Sequence, residues 1–183
     1  MAKLMICMAD GCEEIEALTV VDLARRAGLA IDMVSVSGKE EVIGSHKIKI
    51  GVDKSLKDTN AKDYDGVILP GGMPGTNYLR EDAKVIETVK DFAKNDKLVA
   101  AICAAPTVLG YAGVLEGKNA SCYPGMEDGL TGANSNEQEV NVDGNIITSR
   151  GLGTAIPFAL SIIAYFLGKD KAAQISDSIV YQL

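Results

Sequence analysis

The sequence predicts an α/β fold, a flavodoxin-like class with a mostly parallel sheet and a small antiparallel addition, on three observations. Short apolar runs alternate with longer segments of helical period along most of the chain. Runs such as Leu98-Val99-Ala100-Ala101-Ile102 are continuously apolar, the pattern of a buried strand. Strictly alternating stretches are confined to the segment 37–52 and to a hairpin signal near the end of the chain.

Taken in order, strands are expected near 3–8, 31–36, 66–69, 98–102, 119–122 and 145–148. Helices are expected over 13–27, 82–95, 104–112, 154–167 and 169–178, the first closed by Gly28 just after Ala27. Between 37 and 52, Val42, Ile43, Ile48, Ile50 and Val52 alternate with polar residues and read as small antiparallel strands beside the main sheet. Val140 to Ile146 reads as a hairpin turning at Asp143-Gly144.

Composition narrows the function classes. With 183 residues, 47% hydrophobic and 23% charged, residues 1–183 fit one compact domain. A net charge of -7 with no basic stripe argues against a nucleic-acid surface. The apolar start Met1 to Met8 is too short for a signal peptide, and no segment approaches the roughly 20 apolar residues that span a bilayer. The expectation is therefore a soluble cytoplasmic protein with no membrane partner. Cys7, Cys12, Cys103 and Cys122 form no Cys-x-x-Cys pair, so neither a zinc site nor a disulfide framework is expected, and the thiols should be reduced.

Cys103 carries the strongest functional signal. It follows the buried run 98–102 and precedes Pro106, which suits a first helical turn because its missing N–H has no partner there. A nucleophile on such a turn projects above the sheet edge, and Ala101, Ala104 and Ala105 tolerate the crowding. The following helix is expected to favour thiolate over thiol. Ligands of open parallel sheets gather beyond the strands' carboxyl ends. There the sequence supplies Glu13, Glu14 and Glu16, then Gly71-Gly72, Cys103, Tyr123-Pro124 and Ser149 to Thr154. Glu13 and Glu14 suit a solvated first helical turn. Glu16 shares a helical face with Val20 and Leu23 and is the better candidate for burial, which would raise its pKa, but periodicity leaves the choice among the three open. Gly71-Gly72 reads as a turn or as backbone amides facing a reacting oxygen. Gly151-Leu152-Gly153 has Ile156 where a dinucleotide fingerprint needs glycine, so no nucleotide cofactor is expected. His46, the one histidine, lies in the antiparallel segment away from the strand ends.

Several motifs together resemble the ThiJ/PfpI superfamily, in the branch of the parkinsonism-associated protein deglycase and its bacterial relatives. They are Asp10 to Ala17, Val21 to Gly28, Tyr64 to Gly72, Ala100 to Pro106 and Thr148 to Thr154. The resemblance runs almost end to end. It implies a flavodoxin-like three-layer sandwich, a homodimer, and a cofactor-free, metal-free site. In that site Cys103 is the reactive cysteine, Glu16 its partner, and Gly72 and Ala104 the amides, with Gly71 beside them. It further implies a cysteine easily oxidised to sulfinate, glutathione-independent glyoxalase activity on small 2-oxoaldehydes, and a deglycase activity on glycated thiols or amines. The alternative is a redox sensor or chaperone-like protein. This chain departs from the pattern at three places: Tyr123 stands where many relatives have histidine, Ser45-His46 where a serine is often followed by arginine, and Leu152 where a close relative has proline. The first argues against a protease; the second leaves His46 as a possible pocket residue.

Overall fold

The computed structural model describes residues 2–182. Its centre is a seven-stranded sheet in the order β10-β11-β7-β6-β1-β2-β5. These strands are β1 (Lys3–Met8), β2 (Ala30–Ser35), β5 (Lys54–Ser55), β6 (Gly66–Leu69), β7 (Leu98–Ile102), β10 (Val140–Asp143) and β11 (Ile146–Ser149). All neighbours pair in parallel except β10 with β11, the expected hairpin, where Asp143 faces Ile146 across Gly144-Asn145. A separate antiparallel pair joins β3 (Glu41–Ile43) to β4 (Lys49–Gly51), the small addition expected from residues 37–52.

Alternation along each strand divides the interior in two. Leu4, Ile6 and Met8 of β1, with Leu98, Ala100 and Ile102 of β7, face a core that also takes in α1 (Glu14–Ala27), α5 (Ala155–Leu167) and α6 (Lys169–Ser178). Met5, Cys7, Val99 and Ala101 face the opposite core, packed with α3 (Ala83–Lys94) and α4 (Pro106–Ala112). Helices on both faces of a parallel sheet make the three-layer, flavodoxin-like sandwich. Gly28 closes α1 at φ 87, donating to Ala24 and Arg25 carbonyls as its position predicts. No helix among the described residues is long and apolar enough to cross a membrane.

Three expectations need correction. The strand near 119–122 shrinks to β8 (Asn119–Ala120), which leaves the main sheet and pairs in parallel with β9 (Asn134–Ser135), because Ser121 donates its N–H to the Thr148 side chain instead of continuing a ladder. The helix expected over 104–112 begins at Pro106, since residues 103–105 are spent on a tight turn. A seven-residue helix, α2 (Gly75–Glu81), follows Pro74 unannounced; Leu79 is its one fully buried large side chain, too little for a period to be read.

Candidate active site

β1, β6, β7 and β11 all run the same way, so the segments after them meet at one edge. Cys103 sits there at φ 65, a left-handed backbone that non-glycine residues avoid at a cost of roughly 1–3 kcal/mol. Both of its main-chain groups are tied down. Its N–H donates to the Ser149 carbonyl at 3.0 Å, and its carbonyl accepts from the Tyr123 N–H at 2.7 Å. The side chain is partly exposed, whereas Cys7, Cys12 and Cys122 are buried.

Glu16 comes to the same point from the first turn of α1. It is 1% exposed, and its Oε2 accepts the Gly71 N–H at 2.9 Å. The Cys103 thiol acts on this carboxyl and favours its charged form, and Oε1 has no hydrogen-bond partner among the described residues. Gly71 makes this meeting possible. A Cβ there would lie 2.6 Å from Cys103 Cβ and 2.7 Å from Glu16 Oε2, inside any allowed contact. Gly72, at φ 88, lets the loop press on the start of α1, where a Cβ would fall 2.3 Å from the Glu13 nitrogen. The backbone amides of Ala104 and Gly72 act on the Cys103 thiol and favour its charged form.

Burial pushes the Glu16 carboxyl up to about 7, opposed by the Cys103 thiol and the Gly71 N–H. Burial, with the Glu16 charge beside it, pushes the Cys103 thiol up to about 12, while the Ala104 and Gly72 amides pull the other way. A simple acidification of the thiol by a helix is therefore not what the structure contains. The helix spans only Pro106–Ala112, and burial lifts Cys7 and Cys12 to about 12 and Cys122 to about 11 as well. What sets Cys103 apart is access and a carboxyl neighbour. Two adjacent groups that resist a second negative charge titrate as a pair: the first proton leaves near neutral pH and the second is retained well above it.

The remaining sequence candidates divide. Tyr123 and Leu152 are half exposed; Tyr123 is tied to Cys103 through its main chain, and Leu152 lies in the turn after β11. His46 is bound elsewhere: its ring Nδ1 lies 3.1 Å from Glu14 Oε2 and 3.5 Å from Glu13 Oε2. Glu14, expected to be solvated, is 2% exposed. Burial opposes its charge, but hydrogen bonds from its own N–H, from the His46 ring and N–H, and from the Ile48 N–H hold it down to about 2. In turn Glu14 first, then Glu13, raise the His46 pKa. Sequence reading missed this cluster because it depends on the turn at Gly44, whose Cβ would collide with the Glu14 carboxylate.

Comparison with known proteins puts this arrangement in a family. The pattern of the DJ-1/PfpI family matches residues 2–165. The chain belongs to the DJ-1/PfpI family. Parkinson disease protein 7 homolog of Danio rerio is 38% identical over 182 residues, covering 97% of this chain and 96% of that protein. Protein DJ-1 homolog B of Arabidopsis thaliana is 37% identical over 95% of this chain, which spans only 40% of that longer relative. Among solved structures, oxidized Toxoplasma gondii DJ-1 superposes with a TM-score of 0.96 at 35% identity, each chain fully covered. Drosophila melanogaster DJ-1beta superposes at 0.93 and 37%, also over both full chains. The DJ-1/PfpI fold is thus the fold seen here.

Proposed function

We propose that this DJ-1/PfpI protein is a stress-response enzyme that converts small 2-oxoaldehydes to 2-hydroxy acids without a cofactor, with Cys103 as nucleophile and Glu16 as acid and base. The observation that supports this most is the buried Glu16 carboxyl near the one cysteine of the four that is not buried, with one carboxyl oxygen held by Gly71 and the other without a hydrogen-bond partner among the described residues. Such a carboxyl, held up to about 7, can both give and take a proton near neutral pH.

In this reading the Cys103 thiolate adds to the aldehyde carbon, and Glu16 protonates the new oxygen to give a hemithioacetal. The Glu16 carboxylate then removes the hydrogen from that carbon. The electron pair moves onto the neighbouring ketone oxygen as an enediolate, facing the Gly72 and Ala104 amides. Glu16 returns the proton to the former ketone carbon while the proton of the hemithioacetal hydroxyl passes to the former ketone oxygen, so that the carbon bound to sulfur becomes a carbonyl and a thioester of the 2-hydroxy acid remains. Water cleaves the thioester and restores the thiol. No electrons enter or leave, so no redox partner is required. A glycated thiol or amine, which already carries the hemithioacetal or its amine counterpart, would be a related substrate. The deciding experiment is steady-state methylglyoxal turnover by wild type, Cys103→Ala and Glu16→Gln. Many turnovers by wild type and none by either variant are expected; equal rates in wild type and Cys103→Ala refute the assignment.

One observation favours a second reading, a redox sensor. Cys103 is the only one of the four cysteines that is not buried, and a relative of the same fold has been solved oxidized. Stoichiometric consumption by peroxide without aldehyde turnover would select it. A homodimer is part of either reading. Exposed Ile15 and Leu18 on α1, with Ile43 and Ile48 on the β3–β4 hairpin, form apolar surface that a second copy would cover. Sedimentation at micromolar concentration tests this, a monomer being the contrary result.

A further inference from the structure

A second set of donor atoms stands beside the site, and the proposed reaction does not use it. Glu13 and Glu14 lie at the start of α1, and Ser45 and His46 lie in the turn between β3 and β4. His46 Nδ1 is 3.1 Å from Glu14 Oε2 and 3.5 Å from Glu13 Oε2. Ser45 Oγ is 3.0 Å from Glu13 Oε2, 3.2 Å from Glu14 Oε2 and 3.0 Å from His46 Nδ1. The Glu13, Glu14 and His46 donors all lie within 4.8 Å of one another. Tetrahedral zinc, with bonds of about 2.0–2.1 Å to nitrogen and oxygen, has donor-to-donor edges of about 3.3 Å. The donors already meet one another at 3.0–3.5 Å, so a small four-coordinate ion would fit among them with little rearrangement.

Two features outside the cluster support a built site. Glu14 is a carboxylate only 2% exposed, yet among the described residues no lysine or arginine lies within ion-pair distance of it or of Glu13; the exposed His46 ring is the sole partner of that kind. The scaffold is also fixed independently of the side chains. Ser45 N–H donates to the Cys12 carbonyl at 2.8 Å, Gly11 N–H donates to the Ile43 carbonyl at 2.7 Å, and only a glycine at position 44 leaves room for the Glu14 carboxylate.

We propose that Glu13, Glu14 and His46 Nδ1, with Ser45 Oγ or a water at the fourth corner, bind a divalent ion of the zinc and cobalt class. One imidazole with two carboxylates suits zinc, and the set offers too few oxygens for calcium, which takes six to eight ligands. The ion would fasten the β3–β4 hairpin to the first turn of α1, the turn that also carries Glu16. This site is independent of the Cys103 reaction and stands or falls without it.

The test titrates the metal-free full-length chain with Co²⁺ by visible absorbance and with Zn²⁺ by calorimetry, in wild type, Cys103→Ala, His46→Arg and His46→Gln. Arginine keeps a cation beside the two carboxylates but has no lone pair to give a metal. Wild type and Cys103→Ala should bind one ion per chain, with four-coordinate cobalt bands and no sulfur-to-cobalt charge transfer. Both His46 variants should bind more than about 100-fold more weakly, since loss of even an outer-shell partner costs about 10–100-fold. Circular dichroism verifies that they remain folded, and either variant alone suffices. Absence of saturable binding, undiminished binding in a folded His46 variant, or a thiolate band lost in Cys103→Ala would each overturn the proposal.

Discussion

Gly71→Ala is the sharpest perturbation of this site, because its cost is steric and local. Gly71 is not among the glycines at positive φ, so the backbone accepts alanine. The new methyl, however, would sit 2.6 Å from Cys103 Cβ, 2.7 Å from Glu16 Oε2 and 3.0 Å from the Ile102 carbonyl oxygen. Carbon atoms rest about 3.5–4.0 Å apart, so the Cys103 and Glu16 side chains must retreat by roughly 1 Å each. Overpacking of this kind costs about 1–3 kcal/mol. For a chain of this size each kcal/mol lowers the melting temperature by roughly 2–4 °C, giving a fall of about 2–12 °C. A misplacement of about 1 Å between reacting groups costs about 10²-fold in rate, a loss out of proportion to the stability change. The assay pairs thermal melting with the pH profile of Cys103 alkylation by iodoacetamide and with methylglyoxal turnover. A folded Gly71→Ala protein with wild-type alkylation and turnover would show that the close approach at Gly71 does not set the Cys103–Glu16 geometry.

The other expectations are independent of that one. Alkylation of wild-type Cys103 should rise through a one-proton step near pH 7, because Glu16, held up to about 7, must lose its proton before the pair carries its single charge; a profile following only a thiol near 12 would contradict the paired titration. Glu16→Gln should abolish that step and keep the thiol alkylatable, while turnover falls about 10²- to 10⁴-fold, the usual worth of an acid/base group; unchanged turnover would leave Glu16 as a tuner of the thiol only. Peptide-bond hydrolysis should be absent on casein and fluorogenic peptides, since the leaving amine needs a proton donor, His46 is held by Glu13 and Glu14, and the residue whose main chain bonds to Cys103 is a tyrosine, not a histidine; cleavage lost in both Cys103→Ala and His46→Ala would revive a hydrolase. Glu14 has a folded pKa below its unfolded one, so the stability it adds is complete above about pH 4.5 and fades as pH drops toward about 2. The melting temperature should therefore fall less steeply from pH 5 to 2 in Glu14→Gln than in wild type, and parallel curves would refute it.

The sequence made most of this fold legible because each strand is a dense apolar run and each long helix shows its period. Leu98 to Ile102 reads as a buried strand and is one, every residue enclosed. Cys103 was legible for the same reason: an apolar strand, small neighbours and Pro106 define the turn from local chemistry alone. What was illegible depends on chain segments far apart. Whether Glu14 is solvated or buried turns on Gly44 and Ser45, some thirty residues downstream, and no helical period reports that. The ionisation of Cys103 was misjudged on similar grounds. A helix end is visible locally, but the opposing charge of Glu16 and the dry surroundings exist only once β6 and α1 are packed. β8 was overextended because the Thr148 hydroxyl that captures the Ser121 N–H lies on another strand.

The main-chain tethers of Cys103 bear on how the protein comes off the ribosome. Its left-handed backbone is held by Ser149 and by Tyr123, both of which emerge after it. Until β11 has docked on β7, nothing compels that conformation, Glu16 has no sulfur to face, and the cysteine is an ordinary flexible thiol. Nascent and truncated chains therefore carry an ordinary thiol at this position, with neither the carboxyl neighbour nor the burial that set its ionisation in the folded chain. The site exists only once the segments that follow Cys103 in the chain are in place, which ties its chemistry to a finished molecule.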